Sequence, residues 1–316
     1  MTKKKKLTIS IISIMCAIII GLGSFFGIRA YIQNKFPFTV NDTLDDGQGK
    51  TARVVLLGGQ SNAAGCSHSE YLEKNTSTDK FSEYKNGYDN VYINYFSTGQ
   101  NVSNAFVKCA VGQGDYTSLF GPELGIAETL NKKYPDEQIF IIKYSWSGAA
   151  LFDAWLSPSS TGKTGNLYKA FTGFVRSSMR YLESKDYNVK IEGMCWMQGE
   201  SDSFSVENAT NYKTHLSNFI EDIREDLSKY AADDGIAFID ATIANLPSFW
   251  VYGNLVNESK AEVEKLSPLN VLIDTNAEGL VTNNEPEGNV DMAHYDALSE
   301  IKLGHLFAEE ISKFFN

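Results

Sequence analysis

The chain has 316 residues, 43% of them hydrophobic and 21% charged, with a formal net charge of −11. That balance belongs to a globular protein with a real core and excludes a disordered or collagen-like chain. Residues 1–36 hold six Lys or Arg and no acid, so the remaining 22 basic residues face all 39 acidic ones, and so acidic a surface repels nucleic acid and anionic lipid.

The N-terminus is set apart. Four lysines at positions 3–6 precede a run of 22 residues without a charge, 7–28. As a helix that run spans about 33 Å, against a hydrocarbon core of about 30 Å. A cleavable signal peptide has a shorter apolar region, about 7–15 residues, followed by a small-residue cleavage site. Here only Gly21 and Gly23 offer a weak one. The expectation is an uncleaved signal anchor over 7–28, with a cytoplasmic tail at 1–6 and everything else outside the cell. Secretion after cleavage is the alternative. Residues 29–50 are polar and rich in turn-formers and read as a stalk, leaving 51–316 as the domain.

From Thr51 onward strand-like and helix-like segments alternate. Four apolar, β-branched-rich runs read as strands: "ARVVLLG" (52–58), "QIFIIKYS" (138–145), "VKIEGMCWM" (189–197) and "GIAFIDA" (235–241). Near-continuous apolar runs suit a parallel sheet buried on both faces. Residues 166–182, 206–229, 257–266 and 296–315 read as helices. The alternation predicts a doubly wound α/β sandwich with its reactive groups at the carboxyl ends of the strands. Residues 66–120 are polar and aromatic with weak periodicity, and read as an insertion or substrate loop. Three cysteines follow the anchor, Cys66, Cys109 and Cys195. They form neither a disulfide framework nor a zinc spacing, and no metal or cofactor is implied.

Several strand ends carry chemistry. The first strand stops at two glycines and Ser61 follows, in "GGQSNAAG". A serine hydroxyl needs a positioned base, most often histidine. His215 and His305 fall inside predicted helices, and His68 has no evident acid partner. His294 lies in "NVDMAHYD", three residues after Asp291, a spacing at which a carboxylate on a turn can hold Nδ1 and leave Nε2 for a serine. "CWMQGESD" (195–202) ends a strand in Gln198, Gly199 and Glu200, and "KYSWSGAAL" (143–151) runs into Gly148. A side-chain amide and accessible backbone N–H groups are what an oxyanion hole requires. Each motif alone could be an ordinary strand-to-helix turn. The G-x-S-x-G elbow is absent because Ala63 stands at its last position, and "STGKTG" (160–165) lacks the P-loop glycine and its strand.

Taken in order, "GGQSNAAG", "GPELG" (121–125), "KYSWSGAAL", "WMQGESD" and "DMAHYD…IKLGHLFAEE" resemble the SGNH/GDSL hydrolase superfamily over roughly residues 52–315. They look most like its carbohydrate-esterase branch, the sialate O-acetylesterases and acetylxylan esterases. The resemblance implies a three-layer α/β/α sandwich with a parallel, flavodoxin-like sheet. It implies Ser61 as nucleophile, His294 as base and Asp291 as its acid, with Glu200 as second choice. The Ser61 and Gly148 N–H groups and the Gln198 amide match the oxyanion hole. Two positions depart from the pattern: Ser147 stands where a second glycine is usual, and Ala63 where methionine often follows "GQSN". The expected activity is removal of O-acetyl groups from carbohydrates by an extracytoplasmic serine esterase. A general or lipase-like esterase and a non-catalytic glycan-binding domain are the alternatives.

Overall fold

The computed structural model describes residues 38–282, 285–288 and 291–315. The expected anchor over 7–28 lies outside them, as does the first part of the stalk, 29–37. Among the described residues no helix is long and apolar enough to cross a membrane.

Six parallel strands form the centre: β1 (Thr51–Gly59), β2 (Val91–Ser97), β3 (Gln138–Ser145), β4 (Asn188–Met197), β5 (Ala237–Ala241) and β6 (Asn270–Ile273). Their order across the sheet is β6-β5-β4-β1-β3-β2. Four of the six are the predicted apolar runs. In β1, Val54 to Leu57 have no exposed surface, as a strand covered on both faces requires. With β2 set aside, the remaining five run 2-1-3-4-5 in chain order, the order of flavodoxin-like sheets.

β2 comes from the stretch expected to be a loop. It adds an edge strand, against which the short segments Asn101–Val102 and Val107–Lys108 pair antiparallel. Asn94 and two tyrosines interrupt the apolar run of "VYINYFS", and its burial is mixed. That is why periodicity does not announce it.

Helices cover both faces. Among them are α1 (Ser61–Ala64), α2 (Glu123–Lys133), α3 (Asn166–Ser184), α4 (Val206–Asp226), α5 (Gly253–Glu264) and α6 (Ala297–Ile311). On one face Phe174 of α3 packs 5.6 Å from Tyr144, and Phe219 of α4 lies 4.7 Å from Trp196. On the other, α2 supplies Glu123 to a wholly buried ion pair with Lys143, 2.7 Å long. The pair keeps further partners, Gly121 N–H on the carboxylate and Gln113 C=O on the ammonium, which a buried pair needs to offset desolvation.

α2 and α6 cross at two glycines. A Cβ on Gly125 would lie 2.2 Å from the Ile301 carbonyl oxygen, and one on Gly304 2.1 Å from that of Pro122. This contact accounts for the last glycine of "GPELG" and fixes where α6 begins, three residues after His294.

Residues 38–50, the last part of the expected stalk, pack on this body. Phe38 is buried 5.2 Å from Phe174, Leu44 is buried, and the N–H groups of Thr43 and Leu44 both donate to the Tyr181 hydroxyl.

Candidate active site

Strands β1, β3 and β4 end level. Gly59 is in register with Ser145 on one side and Met197 on the other, so Ser61, Gly148 and Gln198 all follow the same carboxyl edge. The turn after β1 demands glycine. Gly59 has φ +138°, and a Cβ there would lie 2.0 Å from the Met197 carbonyl oxygen. The Gln60 N–H donates to that same oxygen at 3.0 Å, and α1 starts at Ser61, which is 7% exposed.

His294 arrives from the other end of the chain, on the loop before α6. Asp296 caps that helix by accepting the Ser299 N–H at 2.8 Å. Three residues before His294, Asp291 brings its Oδ2 to the ring Nδ1 at 2.5 Å, the contact expected from the spacing. The Ser61 hydroxyl makes no hydrogen bond with His294 among the described residues, and the two loops are joined one residue over. Asn62 donates to the Ala293 carbonyl at 3.4 Å and accepts the Tyr295 N–H at 3.2 Å, holding the loop on both sides of His294. The Ser67 hydroxyl adds a bond to the Tyr295 carbonyl at 2.7 Å.

The electrostatics follow from these neighbours. Burial works to raise Asp291, but its hydrogen bond and charge contact with His294 prevail and hold the carboxyl below its usual range. Burial works to lower His294, yet the Cys66 sulfur and the Asp291 carboxylate push the ring well above the usual imidazole range. Burial also pushes the Cys66 thiol up, against its contacts with His294.

Glu200 stands elsewhere. It is 2% exposed, its Oε1 accepts from Asn62 at 2.9 Å, and its Oε2 has no partner among the described residues. Burial raises its pKa. Its hydrogen bond goes to Asn62, and the acid on the ring is Asp291.

Gly148 has φ +72°, and neither its N–H nor that of Ser61 meets a backbone acceptor among the described residues. The Gln198 side chain is fully buried. Its amide nitrogen lies 2.7 Å from Asp202 Oδ2 and 3.2 Å from both Gln60 Oε1 and the Ala149 carbonyl. Both amide hydrogens are engaged inside the protein, and they link the residue before Ser61 to the residue after Gly148. Asp202 extends the link by accepting the N–H groups of Leu151 (2.8 Å) and Phe152 (3.1 Å). Burial pushes Asp202 up to about 6, against the donors Leu151, Gln198 and Phe152.

Three residues at the site were not singled out from sequence. Asn62 and Asp202 sit inside the quoted motifs, where their positions beside Ser61 and Glu200 were the available signal. Cys66 carried none. His305, set aside as a helix residue, bonds Glu128 at 2.9 Å. Among the described residues no cluster of three His, Cys, Asp or Glu is placed to hold a metal ion.

Known proteins resemble the chain in family and in fold. No curated protein matches the chain in sequence at a significant level. Solved structures match in fold. A protein of Arabidopsis thaliana is 16% identical with a TM-score of 0.61, the match covering 84% of this chain and 99% of that one. NanS is 15% identical with the same TM-score, covering 86% and 99%. A carbohydrate acetylesterase from Xanthomonas citri is 18% identical with a TM-score of 0.52, covering 81% of this chain and 55% of that one. The family model described as carbohydrate esterase, sialic acid-specific acetylesterase, matches residues 51–313. Since that match runs from the first residue of β1 to just beyond α6, the chain belongs to the sialic acid-specific acetylesterase family of carbohydrate esterases and is a carbohydrate O-acetylesterase.

Proposed function

We propose that the enzyme works through a Ser61–His294–Asp291 triad and an acetyl-enzyme intermediate. The Ser61 hydroxyl attacks the acetyl carbonyl of an O-acetylated sugar while His294 Nε2 takes its proton, and Asp291 holds Nδ1–H and so the productive tautomer. The oxyanion lies against the Ser61 and Gly148 N–H groups. Gln198, expected as a third donor, supports the hole by tying down Gln60 and Ala149. Collapse of the tetrahedral intermediate breaks the bond to the sugar oxygen, which leaves with the proton from His294. Water then attacks acetyl-Ser61, gives a proton to His294, and acetate departs as the proton returns to Ser61. The sequence of steps draws on no cofactor.

The observation that carries this reading is Asn62, which ties the loop of the Asp291–His294 pair to the residue next to Ser61. The test is Ser61→Ala, assayed on an aryl acetate and on an O-acetylated sugar, with peptide mapping of a fluorophosphonate adduct. The expected result is loss of acetate release in a folded variant, with the adduct on Ser61 in the parent. Unchanged turnover would remove the triad.

For location we propose a single-pass membrane protein with the esterase domain, 51–316, outside the cell. The support is the lysine cluster at 3–6 ahead of the uncharged run 7–28. N-terminal sequencing of the mature protein tests it, and a new terminus between Gly23 and Tyr31 would indicate a secreted enzyme instead.

A further inference from the structure

A small hydrogen-bonded cluster meets the residue just before Gly148, and none of its members moves a proton in acyl transfer. At its centre is Asp115, from the stretch 66–120, only 6% exposed. Its Oδ1 accepts the Thr98 hydroxyl at 2.6 Å. Its Oδ2 accepts the Ser147 hydroxyl in a short hydrogen bond and lies 3.7 Å from the Cys66 sulfur. The Thr98 hydroxyl in turn accepts the Ser147 N–H at 3.1 Å. Ser147 is therefore gripped twice, at its backbone and at its side chain. The Asp115 N–H donates to the Gly65 carbonyl at 2.9 Å, which ties the cluster to the end of the Ser61 turn.

The backbone supplies a second observation. Thr98, just past the end of β2, has φ +50°, a left-handed conformation that β-branched residues rarely adopt. Such strain persists only where the surroundings over-determine it, and it gathers at functional sites. Here the surroundings are its N–H, bonded to the Ser145 carbonyl at 3.0 Å, and its hydroxyl, shared between Asp115 and Ser147.

We infer that Asp115, acting through Thr98 and Ser147, is a positioning residue that fixes the direction of the Gly148 N–H. The direction of that N–H depends on ψ of residue 147 and φ of residue 148. Glycine leaves its own φ free, so the constraint must come from residue 147. Anchoring Ser147 at both N–H and Oγ holds its N, Cα and Cβ in place before substrate arrives, which sets the frame from which ψ of residue 147 aims the Gly148 N–H, and preorganisation of this kind gives an oxyanion hole its strength. Ser147, where the family pattern expects glycine, provides the hydroxyl that makes the double grip possible. The inference rests on the proposal that the Gly148 N–H receives the oxyanion.

The experiment compares Asp115→Ala, Ser147→Ala and the double variant for kcat, KM, melting temperature and rate of inactivation by a fluorophosphonate, with Ser61→Ala as reference. A hole loosened only for the transition state lowers kcat and leaves KM alone. Each single variant should lose about 10- to 100-fold in kcat and in inactivation rate, part of the roughly 10²–10³ for removing a donor outright, with KM within about twofold. The double variant should be no worse than Asp115→Ala, because both changes act through the same bonds. If Asp115→Ala fails to fold, Asp115→Asn and Ser147→Ala decide the matter by the same criteria. A kcat within about twofold of the parent, losses that multiply in the double variant, or a loss confined to KM would each overturn the inference. If Ser61→Ala is inactive while the Asp115 and Ser147 variants stay fully active, the positioning role falls and the triad stands. If Ser61→Ala remains active, the triad falls and takes this inference with it.

Discussion

Replacing Asn62 with alanine should separate the two halves of the site. The side chain is 2% exposed and spans from Glu200 Oε1 (2.9 Å) to the Tyr295 N–H (3.2 Å), with a longer contact to the Ala293 carbonyl. The two shorter bonds contribute about 1 kcal/mol each, and stranding a buried partner adds about 1–3 kcal/mol. Glu200 is the partner at risk: its Oε2 already lacks a partner among the described residues and burial already raises its pKa, so the loss of Asn62 is eased by proton uptake and the added cost is taken at the low end. The sum is about 3 kcal/mol, or a melting temperature lower by about 6–12 °C at roughly 2–4 °C per kcal/mol for a domain of this size. The catalytic cost should be separate and visible well below the melting point. With the His294 loop released, a misplacement of about 1 Å is enough for a loss of about 10²-fold in kcat. Circular dichroism melts and aryl acetate kinetics at 25 °C measure both. A melting temperature within about 2 °C of the parent, together with kcat within twofold, would refute the claim that Asn62 couples the loops.

Asp291→Asn should lower kcat by about 10⁴-fold, because a neutral partner favours the wrong tautomer. Glu200→Gln, which keeps the acceptor for Asn62, should cost far less, and the reverse order in steady-state kinetics would assign the acid role to Glu200. The base works only when neutral, and Asp291 holds the His294 pKa up. The kcat/KM profile should therefore rise with pH through a midpoint above the reference imidazole value of roughly 6.5. That midpoint should move down in whatever activity Asp291→Asn retains, and a flat profile across this range would point to another base. Gly304→Ala puts a Cβ 2.1 Å from the Pro122 carbonyl oxygen and forces α6 off α2, at about 1–3 kcal/mol. Both the melting temperature and kcat should fall, since α6 carries the His294 loop, and an unchanged melt would contradict the close crossing. A chain beginning at Phe38 should melt about 5–10 °C above one beginning at Thr51. It keeps the buried Phe38 and Leu44 and the two N–H bonds to Tyr181, a net gain of a few kcal/mol.

The amino-acid order alone determined the class of fold, because a strand buried on both faces must be written as an unbroken apolar run, as in "ARVVLLG" and "QIFIIKYS". It also placed Ser61, Gly148 and Gln198 at strand ends, since the two glycines that close β1 and one after β3 mark where the chain turns. The Asp291–His294 contact was legible for a similar reason: three residues on a turn bring a carboxylate to the ring whatever surrounds them. Relations between distant segments were not legible. β2 hides in a polar stretch because Asn94 and two tyrosines break up its apolar run, although Ile93 and Asn94 are both fully buried on opposite faces. Asp291 and Glu200 are equally good acids on paper, and only the folded chain, which sets Asn62 against the Glu200 carboxylate, commits Glu200 to a different partner. Gln198 reads from sequence as a free amide donor, yet its hydrogens are engaged by Gln60, Ala149 and Asp202. Asp115 lies 54 residues from Ser61 in the chain and carries no motif. Hydrogen-bond partners are chosen by proximity in space, and proximity between segments so far apart is created only when the sheet assembles.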